Sequence, residues 1–90
     1  MTRANDNWTL YIIEASDASL YTGITTDVER RFEEHSQGPR GARYFNGREP
    51  ARVVYREEGH SRSSASRREA EIKKLSRSEK QRLIARAAQE

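Results

Sequence analysis

A run near the start of the chain, Trp8-Thr9-Leu10-Tyr11-Ile12-Ile13-Glu14, carries bulk to both sides of an extended backbone. Side chains alternate across a strand, so Trp8, Leu10 and Ile12 share one face, and Thr9, Tyr11 and Ile13 the other. A strand apolar on both faces must be covered on both sides, which places it at the centre of a sheet. The cover has to come from a chain of 90 residues in which 33% are hydrophobic and 34% charged. Such a core is thin, and a small sheet flanked by helices fits it better than two stacked sheets.

The rest of the chain supplies the partners. Residues 15–19, Ala-Ser-Asp-Ala-Ser, form a turn-rich break, and residues 20–25 read as a second strand, so residues 8–25 make a hairpin. Thr26-Asp27-Val28-Glu29 has the spacing of a capping box, with Thr26 as cap and Glu29 reaching back. The helix it opens runs to about Gln37, where Gly38-Pro39 stops it. Residues 38–50 form a basic, partly aromatic loop. A third strand spans residues 52–57, a break covers 59–63, and a helix follows over 63–75. Ser76-Arg77-Ser78-Glu79 is a second capping box and opens a last helix reaching about Ala88. The expected fold class is α+β: a small three-stranded antiparallel sheet flanked by helices, in the order β-β-α-β-α-α. Residues 1–7 are expected to be a flexible tail and residues 8–88 a single domain.

Composition excludes several functions. There is no cysteine, which rules out disulfides, and the two histidines, His35 and His60, are far apart, which argues against a structural zinc site. No apolar run is long enough for a signal peptide or a membrane span, so a soluble cytoplasmic protein is expected. Asn7-Trp8-Thr9 fits the glycosylation pattern by chance. Seventeen Lys+Arg against fourteen Asp+Glu leave a formal charge of +3, weighted toward arginine. The planar fork of arginine suits phosphate, which favours an anionic partner.

The informative residues are polar ones on faces that should be apolar. Taking Val28 as reference at ~100° per residue, Phe32 and His35 fall within about 40° and Arg31 within about 60°. Glu29, Arg30, Glu33 and Glu34 take the outward side. In the next helix Ala65, Glu69 and Ile72 follow the i, i+4, i+7 spacing, so Glu69 points toward the core. A carboxylate there needs an arginine, a metal or a proton. Tyr11 and Tyr21 sit on neighbouring strands, and Gly23 lies on the same face as Tyr21, leaving an open floor for a ligand. Each residue also has a plain structural reading. Tyrosines pack in strands. Arg31 can form a simple ion pair with Glu69. His35 suits a helix end. His60, in the expected break, has no assigned role.

Taken together these residues resemble the GIY-YIG nuclease family along residues 8–84. Thr9-Leu10-Tyr11 stands where that family has its GIY triplet, and Tyr21-Thr22-Gly23 where it has YIG. Arg31 and His35 follow Tyr21 with the spacing of the family's helix motif. Glu69, within Arg67-Arg68-Glu69-Ala70-Glu71-Ile72-Lys73, matches its metal-binding glutamate. The chain is similar to the short stand-alone bacterial members, the YhbQ-like group. The first triplet keeps only its tyrosine.

The resemblance implies a metal-dependent endonuclease that hydrolyses phosphodiester bonds, acting on structured or single-stranded DNA in repair or recombination. The implied catalytic residues are Tyr11, Tyr21, Arg31, His35 and Glu69. Glu69 is expected to hold Mg²⁺ (or Mn²⁺), and Arg31 to face the scissile phosphate. Tyr11 is the expected general base or relay, with Tyr21 orienting water or phosphate and His35 tuning Tyr11. Arg40, Arg43 and Tyr44 are expected to grip the nucleic acid beyond the site, DNA being favoured over RNA. A monomer or weak homodimer is expected. Two other readings stay open: a non-catalytic nucleic-acid-binding or protein-interaction module on the same fold, and a plain salt-bridged fold without nucleic-acid affinity.

Overall fold

A computed structural model describes residues 7–37 and 49–88. Within them the elements are β1 (Trp8–Ala15), β2 (Leu20–Thr25), α1 (Val28–Gln37), β3 (Pro50–His60), α2 (Arg62–Lys73) and α3 (Arg77–Ala88). The order β-β-α-β-α-α and the antiparallel sheet are those expected from the sequence. The strands lie in the order β2-β1-β3, so the strand with bulk on both faces is the central one. Among the described residues no helix is long and apolar enough to cross a membrane.

The two faces of β1 are covered by different helices. Tyr11, Ile13 and Ala15 pack with Val28 and Phe32 of α1, with Tyr21 and Val53 alongside. Leu10 and Ile12 pack with Ile72 of α2, and Leu83 and Ile84 of α3 close over them. Leu10, Ile12, Ile13 and Ile72 are fully buried. At roughly 1.5–3 kcal/mol per buried side chain, these few residues supply much of the hydrophobic stabilisation of a thin core.

Several boundaries differ from expectation for local reasons. α1 is capped by Asp27, whose carboxylate accepts from the Arg30 amide at 3.1 Å. Thr25 orders the approach, its hydroxyl accepting from the Asp27 amide at 3.1 Å. The Thr26–Glu29 box is therefore replaced by a cap one residue later. β3 runs on to His60 rather than stopping at 57. Trp8 pairs with His60 while Leu10 pairs with Glu57, so an extra residue is accommodated near Gly59. Gly59 takes φ of +80°, a conformation glycine adopts freely, and serves as a bulge rather than a break. α2 starts earlier than expected because Ser61 and Ser64 cap it reciprocally, serine replacing the glutamate usual at the third helical position. At α3 the expected box forms: Ser76 Oγ accepts from the Glu79 amide at 3.2 Å, and Glu79 accepts from the Ser76 amide at 2.9 Å.

Candidate functional site

The hairpin register sets the site. Tyr11 pairs with Gly23, and Tyr21 with Ile13, so both phenols and the glycine share the face covered by α1. A Cβ on Gly23 would lie 2.5 Å from Tyr11 Oη, 2.7 Å from its Cζ and 3.1 Å from Tyr21 Cε2. The expected open floor is thus corrected. The space above Gly23 holds the Tyr11 ring, and the glycine admits a side chain rather than a ligand.

α1 then brings its inward face down on these rings. His35 is 5% exposed, and its Nε2 lies 3.2 Å from Tyr11 Oη. Ring centroids are 6.2 Å apart for Tyr11 and Tyr21, and 5.2 Å for Tyr21 and His35, the latter pair meeting edge to face. Arg31 lies on the same helix face, close enough for its positive charge to act on the Tyr11 hydroxyl. Its Nη1 also donates to Glu34 Oε1 at 2.9 Å. Glu34, read as outward, is half-buried against Arg31. It stands next to Arg31 on the helix surface at i+3, and that spacing was the available signal.

Glu69 enters from α2 between buried Ala65 and Ile72, with its side chain 24% exposed. Its carboxylate lies 3.3 Å from Lys73 Nζ, one turn further along. Its charge reaches Tyr11 and contributes to raising that phenol's pKa. The structure therefore brings Tyr11, Tyr21, Arg31 and His35 together, with Glu69 in electrostatic range. Arg40, Arg43 and Tyr44 lie outside the described residues.

Protonation states follow from burial. Tyr11 is held above the ordinary tyrosine value by burial and then by Tyr21, with Arg31 pulling the other way. Burial, assisted by the positive Arg31 and opposed by Glu34, pushes His35 down to about 4. At neutral pH both groups are uncharged. A protonated phenol beside the positive Arg31 turns its lone pairs toward that charge, which leaves its hydrogen available to the neutral imidazole. Tyr11 and His35 are thus directly hydrogen-bonded, with Arg31 beside them, and this arrangement suits Nε2 as acceptor with the ring hydrogen on Nδ1.

The donor set also bears on a metal. Among the described residues no three His, Cys, Asp or Glu side chains cluster to hold an ion. A single accessible carboxylate fits Mg²⁺, which keeps most of its waters and takes one or two carboxylates plus substrate phosphates. It does not fit a zinc cage.

A second polar cluster joins β3 to α2. Glu57 accepts from Arg68 Nε at 3.2 and 3.0 Å through its two oxygens and from the Tyr55 hydroxyl, while His60 Nε2 lies 3.1 Å from it. His60 Nδ1 is 2.8 Å from Ser64 Oγ in the α2 cap. Burial opposes ionisation of Glu57, yet these hydrogen bonds hold its pKa below the usual carboxylate value. His60, left without a role by the sequence, is part of this network. A separate cleft of about 420 Å³ between α1 and β3 is lined by Glu29, Phe32, Glu33, Val53 and Arg56. Two acids on its wall make it a poor phosphate site.

Comparison with known proteins bears on what this arrangement is. Residues 7–82 match the GIY-YIG catalytic domain. A UPF0213 protein of Haloquadratum walsbyi is 53% identical, with 88% of each chain covered. UPF0213 protein YhbQ of Escherichia coli is 43% identical, covering 90% of this chain and 80% of its own. The solution NMR structure of UPF0213 protein BH0048 from Bacillus halodurans is 45% identical and superposes with a TM-score of 0.55, covering 87% of this chain and 82% of that one. With the domain matched over most of the sequence and relatives this similar along most of their own length, the chain belongs to the GIY-YIG family.

Proposed function

We propose that the protein is an endonuclease that hydrolyses a phosphodiester bond in nucleic acid, with DNA as the favoured substrate. The observation that carries this reading is the Tyr11–His35 hydrogen bond, placed beside Tyr21 and within electrostatic range of both Arg31 and Glu69.

A tyrosine whose pKa is raised is a poor free base, but it can relay a proton. Water bound beside Tyr11 gives a proton to Oη as the Tyr11 hydrogen passes to His35 Nε2. His35 is neutral at working pH and offers a lone pair, and its low pKa makes it give the proton up again promptly. The hydroxide so formed attacks phosphorus, and the 3′ oxygen departs and takes up a proton by way of solvent. Arg31 donates toward the phosphate, where charge grows in the transition state. Glu34 holds the guanidinium in place, and Tyr21 orients the water. Glu69 would hold the divalent cation, Mg²⁺ or Mn²⁺, which when bound supplies charge neutralisation at the phosphate and the leaving oxygen. Lys73 yields the carboxylate to it. Substrates with flaps, gaps or single strands suit a site with few side chains for reading base edges.

The test is Mg²⁺-dependent cleavage of branched and single-stranded DNA by wild type, Glu69→Ala and Arg31→Ala. Loss of one transition-state donor costs about a hundredfold to a thousandfold. Cleavage that survives both substitutions refutes the assignment. Binding without cleavage by the wild type points instead to a non-catalytic module on this fold.

A further inference from the structure

Arg62 opens α2, and its guanidinium carbon lies 5.7 Å from the centre of the Trp8 ring. That distance is within range of a cation–π contact. Trp8 is half-buried at the start of β1, paired with His60, and Arg62 is exposed. Among the described residues no carboxylate pairs with Arg62, although most arginines of the sheet and of α1 have one.

The position relative to Glu69 is what gives this pair meaning. Residues 62, 66, 69 and 73 follow i, i+4, i+7, i+11 and form one row along α2. Arg62, Ser66, Glu69 and Lys73 therefore share a flank of the helix. At 1.5 Å per residue, Arg62 lies about 10 Å from Glu69 along the axis. On β1, Trp8 precedes Tyr11 by three residues, also about 10 Å, and belongs to the opposite face, the one shared with Leu10 and Ile12 and covered by α2. The aromatic ring and its cation thus stand together on the α2 side of the sheet, about 10 Å along the helix from Glu69.

Resting on the nuclease reading above, we infer that Trp8 and Arg62 form a flanking-nucleotide subsite. A base of the single-stranded segment beside the scissile phosphate stacks on the exposed part of the Trp8 ring, and Arg62 contacts the adjoining phosphate. An aromatic face accepts any base, so the subsite supplies affinity and strand positioning with little sequence preference. It gives a chain with few base-reading groups a way to hold the strand in register.

Trp8 is the only tryptophan, so its emission reports on the subsite directly. The full chain is titrated at low salt, in Ca²⁺ or EDTA to prevent cleavage, with a short oligothymidylate carrying a fluorescent label. Binding is read by anisotropy of the label and stacking by quenching of Trp8. The subsite predicts quenching that saturates together with anisotropy. It also predicts about tenfold weaker binding for Trp8→Ala and substantial recovery in Trp8→Phe, which keeps a π face. Arg62→Ala, at an exposed position that leaves the core untouched, is expected to weaken binding severalfold and flatten its salt dependence. Anisotropy that rises with unchanged Trp8 emission overturns the subsite alone. Absence of binding by either signal overturns it together with the nuclease reading.

Discussion

His35→Gln tests the buried Tyr11–His35 pair at the site through protein stability. In the native state the imidazole is 5% exposed and its pKa is pushed down to about 4 by burial and by Arg31. In the unfolded chain it returns to about 6.5. Between these values the unfolded state binds more protons than the native state, so stability falls as pH falls. The contribution is fully present above about pH 6.5 and is lost as pH drops through about 4. Between pH 7 and pH 4.5, this single group is expected to remove about 2 kcal/mol of unfolding free energy, a large share of the ~5–15 kcal/mol of a typical domain. Glutamine keeps an acceptor for Tyr11 and does not titrate. Urea unfolding of both proteins at the two pH values isolates the effect, because the carboxylates titrate in both and cancel in the difference. The wild type should lose about 2 kcal/mol more than the variant on acidification. Equal losses, or an NMR titration of the His35 ring centred near 6 or above, would refute the argument that the imidazole is buried neutral beside Arg31.

Other expectations follow from the same geometry. Gly23→Ala drives a methyl into the Tyr11 phenol, with a cost of about 2 kcal/mol by chemical denaturation and loss of cleavage as Tyr11 leaves His35. Unchanged cleavage in a folded Gly23→Ala protein would count against the relay. Thr22, 3% exposed, has a buried hydroxyl with no partner among the described residues. The isosteric Thr22→Val should therefore raise stability by about 1 kcal/mol, and a fall would mean that the hydroxyl is satisfied. Glu57→Ala leaves Tyr55, His60 and Arg68 without their shared acceptor and should cost about 2 kcal/mol, read as a lowered urea midpoint.

What was legible in the sequence is what depends on periodicity. Bulk on both faces of residues 8–14 placed β1 at the centre, because a doubly covered strand has no other position in so small a sheet. The angular position of His35 on α1 brought it toward Tyr11, and the i+4 spacing from Ala65 brought Glu69 inward. Neither inference needed tertiary information. The differences arose where a residue's ordinary meaning was reversed by its neighbours. Gly59 reads as a break, but facing Thr9 in an out-of-step ladder it is a bulge, and β3 continues. Gly23 reads as an opening, but the cross-strand partner is a tyrosine large enough to fill it. Glu57 reads as one of many surface acids until Tyr55, Arg68 and His60 converge on it from two elements.

The same logic bears on how the site is kept in shape. Four elements contribute to it: β1 and β2 through the tyrosines, α1 through Arg31 and His35, and α2 through Glu69. The hairpin register ties the first two strands, and the Tyr11–His35 bond ties α1 to them. α2 carries only Ala65 and Ile72 as fully buried contacts, a small apolar area for a helix that must present a carboxylate accurately. The Glu57–Arg68 pair supplies what that packing lacks. It bonds β3 to the residue adjoining Glu69 through one guanidinium N–H shared between both carboxylate oxygens, and such a charge-assisted hydrogen bond is directional where apolar packing permits sliding. A charged network away from the candidate site thus has a reason to exist on a thin-cored fold: it fixes direction where burial alone fixes only proximity.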